Sequence, residues 1–459
     1  MTDLQKFKND FTGKKVTIMG LGLLGRGIND ARFFAEIGAK VTVTDLKTTE
    51  ELEESIKQLA NLPIEFHLGG HQEQDFIKTD LVLKGAGVPI NSKFIQIAIK
   101  HNIPVEMDES LFAKYSSAKL IGITGTRGKT TTTHMLYEVL KAQNKKVFLG
   151  GNVFGVATLP LLKETDKDSL VVLELSSWQL RGFGENKISP HLAIFTNIYP
   201  DHMDYYEDME EYLADKKLIY TNQTKENNLI LNELYKNDPR FAKIPSQVNY
   251  FSIQNLPTDF KFSYLLGNHN LENAAAVLMT TEYLNLNRDK TLDTLQQFKG
   301  IEHRLEYLGQ MNNISFYNDT TSTTPVAGIA ALNSFSEPLV LIAGGAAKKL
   351  EMQEFAKTIV KKTKKIILLQ GTATPELSQL IESEINKTDC NNPPKILGPF
   401  TSLDGAVAAA VSVATAGDSI LLSPGCASFG MFKNEFDRGQ KFKKIIEKYL
   451  SISGKQIEN

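Results

Sequence analysis

The stretch Leu120-Ile-Gly-Ile-Thr-Gly-Thr-Arg-Gly-Lys-Thr-Thr-Thr-Thr133 limits the possible folds of this chain more than any other. A short apolar run reads as a buried strand. Gly125, Thr126, Arg127 and Gly128 form a tight loop, and Met135, Leu136, Val139 and Leu140 fall on one face of the helix that follows. Strand, glycine loop, Lys-Thr and helix make a phosphate cradle. Backbone N–H groups of the loop and the helix start point at the anion. Lys129 adds a mobile charge, and the Thr130 hydroxyl can reach a magnesium ion. The strict pattern needs glycine five positions before Gly128, and Ile123 stands there. Strand, loop and helix are nonetheless in register, which favours nucleotide binding over an ordinary strand–turn–helix junction.

The 459 residues suffice for about three domains. A formal charge of −2 gives no bulk pull toward nucleic acid or anionic lipid. Two cysteines, Cys390 and Cys426, make no disulfide framework and suggest a reducing cytoplasm. No apolar run approaches the ~18 residues that suggest a membrane span, and Met1-Thr-Asp-Leu-Gln-Lys lacks a signal peptide's apolar core. A cytoplasmic protein is therefore expected, with no nucleic-acid partner and no membrane insertion.

Alternating strands and helices predict an α/β chain of three domains, at 1–116, 117–302 and 303–459. In the first, strand Lys15–Met19 runs into Gly20-Leu-Gly-Leu-Leu-Gly25, a helix through Ala35, and a strand ending at Asp45. This fits a dinucleotide fingerprint, in which the acid about twenty positions on holds a ribose. Asp45 can equally be a cap at a strand end. A strand at Leu81–Leu83 leads into Lys84-Gly-Ala-Gly-Val-Pro89.

In the second domain, Glu174 interrupts the apolar strand Leu170–Leu175. A carboxylate there is costly unless paired or metal-bound, and an acid at the end of the strand beside a phosphate loop commonly holds magnesium. Strand Leu192–Ile198 delivers Tyr199-Pro-Asp-His-Met-Asp204 to the sheet's carboxyl end, making His202 a candidate ligand or substrate contact. On the helix Met209–Tyr220, Lys216 falls on the inward stripe with Met209, Leu213 and Tyr220, whereas Lys217 faces away. Snorkelling is the plain reading of such a lysine. Gly267-Asn-His-Asn-Leu-Glu-Asn273 precedes a helix expected over 274–284; its amides suit capping or a base edge. In the third domain, strands end in Asn318-Asp-Thr-Thr-Ser-Thr-Thr324, Gly344-Gly-Ala-Ala-Lys348 and Ser423-Pro-Gly-Cys-Ala-Ser428. Cys426 has no histidine nearby in sequence, which gives little support to a nucleophile.

In combination these motifs resemble the Mur ligases, ATP-dependent amide-forming enzymes of peptidoglycan precursor synthesis. The resemblance spans essentially the whole chain: Gly125–Thr130, Glu174-Leu-Ser-Ser-Trp-Gln179, Asp201–Asp204, Gly267–Asn270, His303-Arg304, Asn318-Asp319 and Leu422–Ser428. It implies Rossmann-like first and third domains around a central P-loop ATPase-type domain. It further implies that the first domain holds UDP, with Leu23 and Leu24 near the uracil and diphosphate and Asp45 at the uridine end. Gly125, Thr126, Arg127, Gly128, Lys129, Thr130 and Thr131 would wrap the ATP phosphates. Thr130 and Glu174 would hold one magnesium, and His202 would help hold a second. Lys216 matches a lysine that the family carbamylates. Asn152 and Ser176 would touch the muramoyl substrate, while Asn270, Asn273, Arg304 and Asp319 would hold the adenosine. Lys348 and Ser428 match amino-acid-binding positions. The implied reaction joins glutamate, D-glutamate by default, to UDP-N-acetylmuramoyl-L-alanine through an acyl phosphate, in a monomer.

Three positions depart from the family pattern. Thr321 stands where a lysine is usual, Gly430 where aspartate is usual, and Arg127 where asparagine is usual. Two of them surround the amino-acid end, so L-glutamate or another amino acid remains open there. A non-catalytic nucleotide-binding relative is a further reading. The first glycine turn, alone, also allows a nicotinamide oxidoreductase.

Overall fold

The computed structural model describes residues 1–459 except 23–24, 154, 203–204, 266, 268, 349, 388–392 and 457–459. It divides into two compact units, Met1–Asp259 with Leu271–Leu295, and Phe260–Asn270 with Gln296–Asn459.

The first unit holds two parallel sheets. One has strands β1 (Lys15–Met19), β2 (Lys40–Asp45), β3 (Ile64–Leu68), β4 (Leu81–Lys84) and β5 (Val105–Glu106) in the order β3-β2-β1-β4-β5. The other has β6 (Lys119–Thr124), β7 (Val147–Gly151), β8 (Leu170–Glu174), β9 (Leu192–Phe195), β10 (Asn228–Asn232) and β11 (Gln247–Phe251) in the order β11-β10-β9-β6-β8-β7. Helices cover these parallel strands, so β6, β8 and β9 are continuous apolar runs rather than alternating ones. The chain reverses its direction across the sheet at β1 and β4 in the first and beside β6 in the second. Ligand crevices form at such points, and the glycine turns after β1 and β6 lie there.

The second unit carries β12 (Glu306–Met311), β13 (Ile314–Asn318), β14 (Leu339–Ala343), β15 (Thr363–Leu369), β16 (Lys395–Phe400) and β17 (Ser419–Leu422), ordered β12-β13-β17-β14-β15-β16. All pairs are parallel except β12 with β13. That hairpin escapes the sequence reading. Its turn residues Asn312 and Asn313 have φ of 50° and 61°, the left-handed pair that a two-residue hairpin needs and asparagine tolerates. The central strands β13, β17 and β14 send three loops to one end of the sheet.

Several boundaries differ from expectation. The helix expected over 274–284 spans His269–Tyr283, so Asn270 and Asn273 sit inside its first turns rather than ahead of them. The alanine-rich helix expected over 404–416 spans Leu403–Val413 and buries Leu403, Ala406, Val407 and Ala410. Among the described residues no helix is long and apolar enough to cross a membrane.

Candidate active site

The loop after β6 is fastened by the end of β9. Thr126 N donates to the Asn197 carbonyl at 2.9 Å, and Arg127 N donates to Asn197 Oδ1 at 2.8 Å. The Thr196 hydroxyl donates to the Arg127 carbonyl at 2.7 Å. A Cβ on Gly125 would meet Thr196 Oγ1, and one on Gly128 would meet Asn273 Oδ1. The two glycines thus let this backbone pass close to its neighbours, and Asn273 also accepts from the Thr132 hydroxyl at 3.2 Å. Thr196 and Asn197 were not singled out in the sequence. The available signal was a polar pair at the carboxyl end of an otherwise apolar strand.

Lys129 folds onto its own loop, with Nζ donating to the Gly125 and Thr126 carbonyls at 2.9 and 3.0 Å. Lys216 reaches the same Gly125 carbonyl from the helix Met209–Thr221, at 3.0 Å. Its side chain does not snorkel. Lys216 is 1% exposed, and its Nζ lies 4.6 Å from the centre of the Tyr212 ring. Burial, and then the charge of Lys129, pull its pKa down to about 6. At neutral pH it is a neutral, nucleophilic amine, which explains how two lysines share one carbonyl.

Glu174 is 2% exposed at the end of β8. Asn152 holds it twice, by its side-chain amide to Oε1 at 3.2 Å and by its N–H to the main-chain carbonyl at 2.7 Å. Ser176 caps the helix Ser177–Glu185 in a reciprocal arrangement with Gln179. Trp178 is half-buried, with its ring 4.9 Å from His202 and 5.5 Å from Tyr205. His202 is exposed, with φ of 56°. A cavity of about 220 Å³ lies here, bordered by Lys84, Val88, Met107, Trp178, Arg181 and His202. It brings the turn after β4 to the loop after β9.

Thr130 and Thr131 are half-buried in the first turn of the helix Lys129–Ala142. Thr130 and Glu174 offer hard oxygen donors. Among the described residues no three His, Cys, Asp or Glu side chains are grouped to hold a metal alone.

Behind β1, Asp45 accepts from Leu21 N and Gly22 N at 2.9 and 3.1 Å through Oδ2, and from Lys47 N at 2.9 Å through Oδ1. Both oxygens are engaged by backbone. Leu23 and Leu24, expected at the uracil and diphosphate, lie outside the described residues, as do Met203, Asp204, Asn268 and Cys390.

In the second unit the three loops are tied together. Asp319 N donates to the Leu422 carbonyl at 2.8 Å, and the Ser423 hydroxyl donates to Asp319 Oδ2 at 2.8 Å. Gly425 N donates to the Ser322 carbonyl at 2.9 Å, and Ala346 bridges Ala427. Lys348 Nζ donates to Thr323 Oγ1 at 2.9 Å, so it lies on the loop that lacks a lysine at Thr321. Ser428 is buried, and its hydroxyl has no hydrogen-bond partner among the described residues. Burial raises Asp319 to about 6 against the hydrogen bonds from Ser322 and Ser423. Asn270 is buried in this unit, and Arg304 is exposed on it. Burial pushes the Cys426 thiol up to about 12, which makes it a packing residue rather than a nucleophile. Arg438, also unmentioned by the sequence reading, is fully buried and donates to the Thr320 hydroxyl and carbonyl at 3.0 and 2.9 Å. Its signal was the Arg438-Gly439 pair, since a Cβ on Gly439 would meet His303 Nδ1.

The sequence matches the Mur ligase MurD-like N-terminal domain over 14–106, the Mur ligase middle domain over 123–260 and the Mur ligase glutamate ligase domain over 303–426. It is 37% identical to the UDP-N-acetylmuramoylalanine–D-glutamate ligase of Roseiflexus sp. strain RS-1, covering 95% of this chain and 99% of that protein. It is 32% identical to the enzyme of that name from Clostridium botulinum strain Langeland, covering 97% and 99%. Among solved structures, Thermotoga maritima UDP-N-acetylmuramate–alanine ligase superposes with a TM-score of 0.58 at 18% identity, over 95% of this chain and 99% of that one. Thermotoga maritima MurF ligase in complex with ADP gives 0.53 at 16%, over 96% and 97%.

Proposed function

This chain belongs to the Mur ligase family, and from that premise we propose that it joins D-glutamate to UDP-N-acetylmuramoyl-L-alanine at the expense of ATP, in cytoplasmic peptidoglycan precursor synthesis. The observation that carries this reading is the buried Lys216 amine on the phosphate-loop carbonyl shared with Lys129. A simple nucleotide hydrolase or a nicotinamide enzyme has no use for a neutral lysine there.

In this reading residues 1–116 take the UDP moiety, 117–302 take ATP and 303–459 take the amino acid. Gly125 through Thr131 hold the ATP phosphates, and Lys129 leaves its loop carbonyls for the β and γ groups. Thr130 and Glu174 would hold one magnesium ion; His202 and a carbamylated Lys216 would serve a second. Bound magnesium would neutralise charge on the transferring phosphoryl group. The Lys216 amine adds carbon dioxide, forming an N–C bond and releasing one proton, and so turns a buried amine into an anion suited to that centre. Asn152 and Ser176 orient the muramoyl end, with the sugar in the cavity beside Trp178 and His202. Asn270, Asn273, Arg304 and Asp319 serve the adenosine.

The substrate carboxylate attacks the γ-phosphorus and ADP leaves, giving an acyl phosphate. The glutamate amine then attacks the acyl carbon and phosphate leaves. Lys348 and the buried Ser428 hydroxyl hold the amino acid for that attack. Alignment of this kind contributes up to ~7–11 kcal/mol.

The test is ADP and phosphate release with mass detection of the UDP product, across a panel of D- and L-amino acids. Release that needs both UDP-N-acetylmuramoyl-L-alanine and D-glutamate is expected. A preference for L-glutamate would revise the amino acid alone, while no product from any pair would sink the assignment.

A further inference from the structure

Arg26 is absent from the sites named above, yet its bonds lead to two of them. It is the first residue of the helix Arg26–Glu36, directly behind the first glycine turn. Its guanidinium donates to the Gly151 carbonyl at 2.7 Å and pairs with Glu109 at 3.2 Å. Gly151 carries Asn152, the residue that grips Glu174. Glu109 is 1% exposed and accepts a short hydrogen bond from Gln179 Nε2. Gln179 Oε1 in turn accepts from Ser176 N at 2.9 Å and Ser176 Oγ at 2.8 Å. One guanidinium therefore fixes the backbone of Asn152 directly and the cap of Ser176 through two side chains.

The surroundings make this a costly way to gain stability. Asp30 and Asp108 are buried beside the pair; Asp108 Oδ2 accepts from Thr158 N at 2.8 Å, whereas Asp30 Oδ1 has no hydrogen-bond partner among the described residues. Burial and the Glu109 charge push both aspartates well above the usual carboxylate range. Burial also opposes the Glu109 charge, but hydrogen bonds from Asp108 and Gln179 and the Arg26 charge outweigh it and lower its pKa. Well-packed apolar side chains would stabilise such a place at least as well as an ion pair. The pair's distinctive product is geometry, since a planar fork holds two partners at fixed directions.

We propose that Arg26 is a positioning residue for the UDP-linked substrate, coupling the first glycine turn to Asn152 and Ser176 so that affinity for that substrate, and not for ATP, depends on it. The inference rests on the activity proposed above.

The test compares full-length wild type, Arg26→Lys, and the double variant Arg26→Met with Glu109→Gln. The double variant removes both charges together and so avoids stranding a buried carboxylate. Kinetics and titrations followed by Trp178 fluorescence give KM and Kd for UDP-N-acetylmuramoyl-L-alanine and for ATP. In the double variant, both constants for the UDP substrate should rise about tenfold or more while those for ATP stay within about twofold. Arg26→Lys should recover only part of the loss, because it keeps the charge and loses the fork. An active double variant with an unchanged UDP-substrate constant, or with both ligands weakened equally, overturns the inference and leaves the proposed activity standing. A wild type that neither binds nor turns over the UDP substrate overturns both.

Discussion

Two glycine turns open two helices in the first unit, and locally they are built alike. Gly25 precedes the helix Arg26–Glu36 with φ of 92°, and Gly128 precedes the helix Lys129–Ala142 with φ of 82°. Each follows a central parallel strand, and each places a basic residue in the first helical position. Either would favour an anion at the helix end. Their cations behave differently. Lys129 folds back on Gly125 and Thr126, four and three residues away, whereas Arg26 reaches Gly151, 125 residues ahead. The first turn is hooked by Asp45 from the neighbouring strand, and the second is fastened by Thr196 and Asn197. The local motif specifies a site for an anion. The chemistry done there comes from partners far along the chain, foremost Lys216 and Glu174.

The largest effect expected is at the mobile cation. Lys129→Ala should lower kcat by about 10²–10³-fold, the usual loss for one preorganised contact to a charged transition state. Single-turnover phosphoryl transfer measures it, with the Kd for the UDP substrate unchanged. If Lys129→Ala instead weakened the UDP substrate as the Arg26 variants should, the two cations would be doing the same work and the contrast would fail.

Next comes the glycine that Lys129 follows. Gly128→Ala combines a left-handed φ with a clash against Asn273 Oδ1. A cost of about 3 kcal/mol is expected from strain and the displaced asparagine, with ATP binding lost in calorimetric titration. Normal ATP affinity would show that Asn273 yields freely and that the loop is not held as tightly as its contacts imply.

Lys216 tests the partner that distinguishes the second turn. Folded Lys216 loses its proton above about pH 6, while the unfolded chain keeps it to near the ordinary lysine value of 10.5. Between these values the unfolded state binds one more proton, so this group makes wild-type stability rise with pH across that window. Lys216→Met removes the slope. In carbon-dioxide-free buffer the variant should be more stable by about 2 kcal/mol at pH 7. Its advantage should be greatest near pH 6 and shrink toward pH 10. Activity should be lost throughout. Trp178, the single tryptophan, reports unfolding of the unit that carries Lys216. A pH-independent difference would mean that the amine stays protonated in the folded state.

Much of this contrast was legible beforehand, for identifiable reasons. Parallel strands buried on both faces announce themselves as apolar runs, so β1, β6, β8 and β14 could be read directly. Helical periodicity placed Lys216 on the buried stripe because spacing alone decides which residues face inward. Its proton state was not legible, since that depends on Tyr212 and Lys129 closing around it. Arg26, Glu109 and Gln179 lie on three separate elements, and only the packing of the two sheets in one unit brings them together. Arg438 and the Asn312-Asn313 hairpin were missed for different reasons. The first is a charge on a helix whose partners lie on distant loops, and the second is a turn signal flanked by weakly patterned strands.

The smallest effect returns to the first turn. Among the described residues, a Cβ on Gly25 meets only the Cα and carbonyl oxygen of Gly155, both at an ordinary 3.8 Å. Gly25→Ala therefore carries the left-handed backbone strain without a collision, and should cost about 1 kcal/mol. That strain bears on the start of the helix that carries Arg26. The KM for UDP-N-acetylmuramoyl-L-alanine should rise a few-fold while that for ATP holds. Equal losses from Gly25→Ala and Gly128→Ala, in stability and in ligand, would mean that conformation alone governs both turns. A clear inequality, with each substitution weakening a different ligand, would show that two locally similar turns are told apart by what the rest of the fold packs against them.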